Sequence, residues 1–149
     1  MDPKLEQNLS RENLTLATPA KRAVAFMVDE ALITLLILIA FWERLAGQED
    51  VLAVIETINA LFFTVVGVKI AYQTLFVSLY GATLGKMWQR IVIIDETSFA
   101  RPTVMAALMR AVVRIISEWL FYFGFLWALF NDTRQTWHDK LARTLVVNA

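Results

Sequence analysis

The chain has 149 residues, 58% of them hydrophobic, with 14 basic and 14 acidic side chains and a mean hydropathy of +0.54. Balanced charge gives no electrostatic reason to expect a nucleic acid or an acidic partner. The lack of cysteine excludes disulfide, zinc–thiolate and redox chemistry, and a single histidine, His138, excludes a His-rich metal site.

The length predicts one domain. Residues 1–19 carry charges of both signs and no apolar core before a small-residue cleavage site. They read as a solvated tail with at most one helical turn, not as a secretory signal. The first apolar run, residues 23–42, follows Lys21 and Arg22 and ends on Trp42. As a helix it rises about 30 Å, the thickness of the hydrocarbon core. Backbone inside lipid must satisfy its own polar groups, so a transmembrane helix over about 21–42 is expected. Asp29, Glu30 and Thr34 interrupt it. After an acidic loop, residues 51–80 stay apolar apart from Glu56, Asn59, Lys69 and Gln73. As one helix they rise about 45 Å, which predicts a single tilted span whose ends leave the hydrocarbon.

Gly81-Ala82-Thr83-Leu84-Gly85-Lys86 resembles part of a phosphate-binding loop, but that loop needs glycine where Tyr80 stands and Ser or Thr where Met87 stands. It reads instead as a glycine-punctuated turn at the membrane surface. Residues 91–94 and 144–147 are β-branched runs expected to pair as short strands outside the bilayer. The last apolar stretch, residues 102–130, opens on Pro102, which suits the first position of a helix. Arg110, Arg114 and Glu118 then follow along one helix face. The aromatic block Trp119, Phe121, Tyr122, Phe123, Phe125, Trp127 and Phe130 fits a lipid-facing belt.

Lysine and arginine concentrate in the N-terminal tail (Lys4, Arg11, Lys21, Arg22), the second loop (Lys86, Arg90, Arg101) and the C-terminal tail (Arg134, Lys140, Arg143), whereas the first loop has only Arg44. An even number of crossings keeps the three basic segments on the cytoplasmic side. The expected fold is therefore an all-α membrane protein with two full transmembrane helices. Its third apolar segment is re-entrant or interfacial, turning near Gly124, or else a plain third span. Short strand-like segments lie on the cytoplasmic side.

Three motifs together are similar to the RDD family of small bacterial membrane proteins. They are Lys21-Arg22-Ala23 with Val28-Asp29, the glycine turn 81–86 with Gly81, Thr83, Gly85 and Lys86, and the C-terminal run 134–144 containing His138 and Asp139. The resemblance implies an Arg22, Asp29 and Asp139 cluster, in the bacterial cytoplasmic membrane, multi-pass, with the N-terminus cytoplasmic. Ala82 and Arg143 depart from a frequent glutamine and a frequent glycine, and arginine disfavours the positive φ a glycine allows.

Seven residues separate Arg22 from Asp29, so on a helix they share a face about 10 Å apart, too far for direct contact. An isolated carboxylate two turns into an apolar run is expensive, so Asp29 must be neutral, paired or hydrated. Lys69, Arg110 and Arg114 are the candidate partners. Asp29 is either an ion site tuned by Glu30 and Lys69 or one half of an interhelical lock. Asp139 either caps a short helix beginning at Lys140 or accepts from Arg22, and His138 reads as an interface residue. No nucleophile–base set or metal-ligand cluster is evident, so an enzyme is not expected, nor any cofactor. The resemblance implies transport of a small ligand or cation, in the sodium–proton exchange class, by an oligomer. The alternative is an accessory or scaffold subunit. The partners expected are the lipid bilayer and either further copies of the chain or other membrane proteins, and no nucleic acid.

Overall fold

The computed structural model describes residues 3–47, 50–120, 123–130 and 132–149. Helix α1 (Pro3–Arg11) lies ahead of the long helix α2 (Pro19–Ala40), and a short α3 (Trp42–Ala46) follows. Thr18 caps α2 by accepting from the Lys21 N–H, and Pro19 fills the first turn, where its missing donor costs nothing. The expected single helix over 51–80 is two, α4 (Val51–Ala60) and α5 (Phe62–Tyr80). The break follows Thr57, whose hydroxyl donates back to the Ala53 carbonyl, a bond that bends helices. Both α2 and α5 are long and apolar enough to cross a membrane.

Gly81 ends α5 with φ +72°, a left-handed conformation open to glycine. A one-turn helix α6 (Leu84–Trp88) leads into β1 (Ile91–Asp95). Helix α7 (Val104–Trp119) begins after the Thr103 cap, which accepts from the Ala106 N–H. Pro102 therefore stands just outside the helix rather than at its first position, because the threonine hydroxyl supplies the cap. Beyond α7 come α8 (Phe123–Leu126), which contains Gly124, a 3-10 turn (Trp127–Leu129), α9 (Trp137–Leu141) and β2 (Thr144–Asn148). Phe121 and Tyr122 of the aromatic block lie outside the described residues.

The two strands pair antiparallel with Ile93 opposite Val146 and Ile94 opposite Leu145. A lone ribbon is marginal in water, but both faces of this one are covered. Ile91, Ile93 and Val146 pack with Ala17, ahead of α2, and with Ala25, Val77 and Ala107 of the helical layer. On the other face, Ile94, Leu145 and Val147 meet Leu5 and Leu9 of α1. The N-terminal segment is thus not a solvated tail. Leu5 and Leu9, one turn apart on α1, cover the ribbon, and Leu16 adds a bridge to Val147.

Helix α7 packs on α5, and α9 returns to pack on α7. The inward face of α7 is Ala107, Arg110, Ala111, Arg114 and Ser117, while Met105, Met109, Ile116 and Trp119 are exposed. Charges inside and apolar groups outside invert the pattern of a water-soluble helix. The same inversion runs along α2, where Asp29 is buried and Leu36 and Ile39 are exposed.

Candidate functional site

Asp29 sits on the inward face of α2 in line with Ala25 and Ile33, one turn to either side. None of Lys69, Arg110 and Arg114 is its partner. Its Oδ1 accepts from the Tyr72 hydroxyl at 2.7 Å and the Gly85 N–H at 2.8 Å, and Oδ2 accepts from Thr83 Oγ1 at 2.6 Å. Lys86 Nζ stands 3.9 Å from Oδ2. Its acceptor sites thus go to three short donors, and the carboxylate acts as a cap for α6 supplied from another helix. Tyr72 in turn accepts from the Leu84 N–H at 3.1 Å. The approach requires glycine, since a Cβ on Gly85 would lie 2.2 Å from the Ala25 carbonyl oxygen. The glycine turn is therefore a seat for Asp29, and Gly81 positions it by accepting from the Ile93 N–H at 2.7 Å.

The residues expected to tune Asp29 form a separate network. Glu30 points about 100° away around the helix. Its carboxylate meets Lys69 Nζ at 2.7 Å and Arg114 Nη2 at 2.6 Å. Glu118 meets the same two cations, Lys69 at 3.0 Å and Arg114 Nε at 3.1 Å. Two acids and two bases from α2, α5 and α7 close into a neutral ring. Arg114 also lies over the Phe26 ring, 4.7 Å from its centroid.

Asp139 performs both tasks that its sequence position suggested. It caps α9, which begins at Trp137 rather than Lys140, by accepting from the Thr136 N–H at 2.9 Å and the Thr136 hydroxyl at 2.7 Å. It is also ion-paired to Arg22 through Oδ2 and to Arg110 Nη1 through Oδ1, the latter at 2.5 Å. Arg22 donates in addition to the Arg134 carbonyl, and Arg110 to the Thr144 hydroxyl. Burial pushes the Asp139 carboxyl up, but the Arg22 and Arg110 guanidiniums outweigh this and hold it well below the usual range. Burial drives His138 well below the ordinary imidazole value, only partly offset by Asp139, so its ring is neutral. Burial likewise lowers Lys86 to about 7, against the pull of Asp29.

Arg22 and Asp29 do not meet. They hold two different segments, the C-terminal signature and the glycine turn, from one face of α2. Thr136, within the C-terminal run, completes the Asp139 contacts, and Tyr72, which the sequence did not single out, completes those of Asp29. Tyr72 lies three residues after Lys69, one turn on, the spacing that could have flagged it. Among the described residues no group of three acids, histidines or cysteines is placed to hold a metal ion.

Two helices long enough to cross a bilayer, with charged groups turned inward and apolar groups outward, define a small integral membrane protein. The sequence matches the RDD family over residues 16–143, and the chain belongs to that family of small bacterial membrane proteins. It is similar to a Rickettsia prowazekii (strain Madrid E) protein described only as uncharacterized, with 32% identity over 89 residues. That alignment covers 60% of this chain and about half (49%) of the relative. No solved structure matches the chain.

Proposed function

We propose that this protein is a non-catalytic accessory subunit of the bacterial cytoplasmic membrane that organises other membrane proteins, and that α2 and α5 are its only full crossings. The observation that carries this reading is the saturation of Asp29 by three donors inside the fold. A transport carboxylate must face a path and exchange its ligands, whereas this one holds a turn in place. Asp139 is equally committed, shared by two guanidiniums and a cap. The exposed apolar faces of α2, α4 and α5 are then available to lipid, to a second copy or to another membrane protein.

The two-crossing topology is supported by the ribbon. β2 pairs with β1 and bridges to Leu16, which brings the N-terminal segment, the second loop and the C-terminus to one side. The basic segments share that side, which the positive-inside bias makes cytoplasmic. Helix α7 has 16 residues, about 24 Å, and its charged face closes on α2 and α5, so it enters and returns rather than spans. The chain has no native cysteine, so Ser10→Cys and Ala149→Cys report on topology directly. Both should label with an impermeant maleimide only from the cytoplasmic face. Labelling of position 149 from the outside would remove the two-crossing topology.

A second reading, cation or proton exchange by an oligomer, is favoured by Glu30, whose side chain is one-quarter exposed at the edge of the neutral ring. Flux in proteoliposomes under imposed sodium and proton gradients separates the two. The accessory reading expects no flux above empty vesicles from folded wild-type protein. Flux abolished by Glu30→Gln, with folding retained, would establish exchange instead.

A further inference from the structure

One cavity of about 310 Å³ lies between the first turns of α2, the middle of α7, the 3-10 turn and α9. Its charged wall is built from four basic side chains, Arg22, Lys86, Arg110 and Arg114, and no aspartate or glutamate appears among its described lining residues. The carboxylates that pair with these cations stand behind the wall, not on it. Across the whole cluster five cations face four acids, since Arg22 and Arg110 share the single Asp139. One of the wall groups is also incompletely bonded. Arg110 is 2% exposed, yet its buried Nε–H has no acceptor in the described structure. A buried guanidinium donor without an acceptor is costly, and it leaves this wall short of anionic acceptors.

Gln73, Thr136 and His138 add neutral polar groups beside these cations, the rest of the lining is apolar, and its exposed edge is formed by Met27 (61% exposed) and Leu129 (59% exposed). The cavity lies beside the first turns of α2, where the helix enters the membrane, so this edge faces the bilayer at headgroup depth. A cationic floor with an apolar rim suits a molecule with an anionic head and a hydrocarbon tail. A free inorganic anion would leave the rim unused, and a neutral lipid would leave the surplus charge unanswered. Basic pockets between membrane helices on the cytoplasmic side have the chemistry to hold acidic headgroups.

We propose that this cavity binds the phosphate headgroup of an anionic phospholipid, with Arg110 and Lys86 contacting the phosphate and the acyl chains leaving over Met27 and Leu129. An anion seated there also offsets the burial that brings Lys86 down to about 7.

The test uses the full chain purified in an uncharged detergent and titrated with short-chain phosphatidylglycerol, phosphatidylcholine of the same chain length, or inorganic phosphate. Binding is read by native mass spectrometry and tryptophan fluorescence. The expected result is saturable phosphatidylglycerol binding, at least tenfold tighter than phosphatidylcholine. Lys86→Gln and Leu129→Glu should each weaken it on the order of fivefold, as one unit of charge near a headgroup does. Leu129 is exposed, so its substitution leaves the core intact, and circular dichroism checks the fold of both variants. Equal affinity for the two lipids, or phosphatidylglycerol binding unchanged by Leu129→Glu, would overturn the site. Inorganic phosphate binding as tightly as phosphatidylglycerol would overturn the lipid assignment. If neither variant folds, the wild-type comparison of the three probes decides on the same criteria.

Discussion

Replacing Gly85 with alanine tests the seat of Asp29 most directly. The added Cβ would stand 2.2 Å from the Ala25 carbonyl oxygen and 2.9 Å from Asp29 Oδ1. A carbon–oxygen contact needs about 3.3 Å, so α6 must retreat from α2 by about 1 Å. The first obstacle is backbone of a packed helix, which cannot swing aside as a side chain can. That retreat stretches the 2.8 Å bond from the Gly85 N–H to Asp29 beyond hydrogen-bonding range. A lost bond to a buried carboxylate costs about 1.5–3 kcal/mol, and over-packing adds about 1–3 kcal/mol. The variant should lose roughly 3 kcal/mol or more. Gly67, inside α5, is the control: a Cβ there meets nothing within 4 Å, and alanine should stabilise the helix by about 0.5–1 kcal/mol. Unfolding in mixed micelles of rising SDS fraction, followed by circular dichroism, measures both. If Gly85→Ala unfolds at the wild-type midpoint, the close approach of α6 to α2 does not exist and Asp29 is not held as described.

The Arg22–Asp139 pair should behave as a coupled unit: Arg22→Met or Asp139→Asn alone costs about 3–5 kcal/mol in the same unfolding assay, and the double variant costs clearly less than the sum. Additive losses would mean that the two side chains do not interact. His138 is buried neutral with its folded value well below 6.5, so below about pH 6.5 the unfolded chain binds the extra proton first and stability falls with acidification. Asp139 contributes in the same direction only below its ordinary value of 3.8. His138→Gln should therefore flatten the stability profile between about pH 6.5 and 4 and leave the steeper loss below it, and an unchanged profile would contradict a buried neutral ring. Arg143 adopts φ +50°, where a side chain is strained, so Arg143→Gly should raise stability by about 1 kcal/mol, and a loss would show that the arginine side chain makes a contact worth more than the strain.

Much of the framework was legible from residue order. The two β-branched runs pair as expected, because bounded runs of Ile and Val mark strands whatever surrounds them. The two helices long and apolar enough to cross a membrane were visible in hydropathy, and the resemblance pointed to Arg22, Asp29 and Asp139. The partners of Asp29 were not legible. A search for opposite charge named Lys69, Arg110 and Arg114, whereas the donors are a phenol, a hydroxyl and a backbone N–H. A backbone donor leaves no trace in residue identity except the glycine that lets it approach. Tyr72 sits within an apolar run, where an aromatic residue reads as packing. The N-terminal helix was hidden for a different reason. Leu5 and Leu9 are two apolar residues in a polar segment, and their burial depends on a ribbon formed by residues more than 80 positions away. Arg143 shows the converse: the departure from glycine was visible, but the chain accepts the left-handed conformation because β2 must start at Thr144.

The seven-residue interval between Arg22 and Asp29 explains how one helix serves two clamps. Both side chains lie within about 20° of one another around α2 and about 10 Å apart along it. Arg22 reaches the C-terminal signature and Asp29 reaches the glycine turn, so the interval sets the distance between the two segments that β1 and β2 then join. The spacing, and not only the identity of the two residues, should therefore be constrained. Inserting one alanine after Phe26 leaves hydropathy and helix propensity essentially unchanged, but it rotates Arg22 by about 100° relative to Asp29. Only one clamp can then close. The expected loss is at least that of breaking one buried pair, about 3 kcal/mol. The same insertion after Leu52, in α4, where no residue is buried, should cost less than about 1 kcal/mol. The two insertions are compared by SDS unfolding in one detergent. Equal losses would mean that α2 contributes length and apolar surface alone, and that the charges on it act independently of one another.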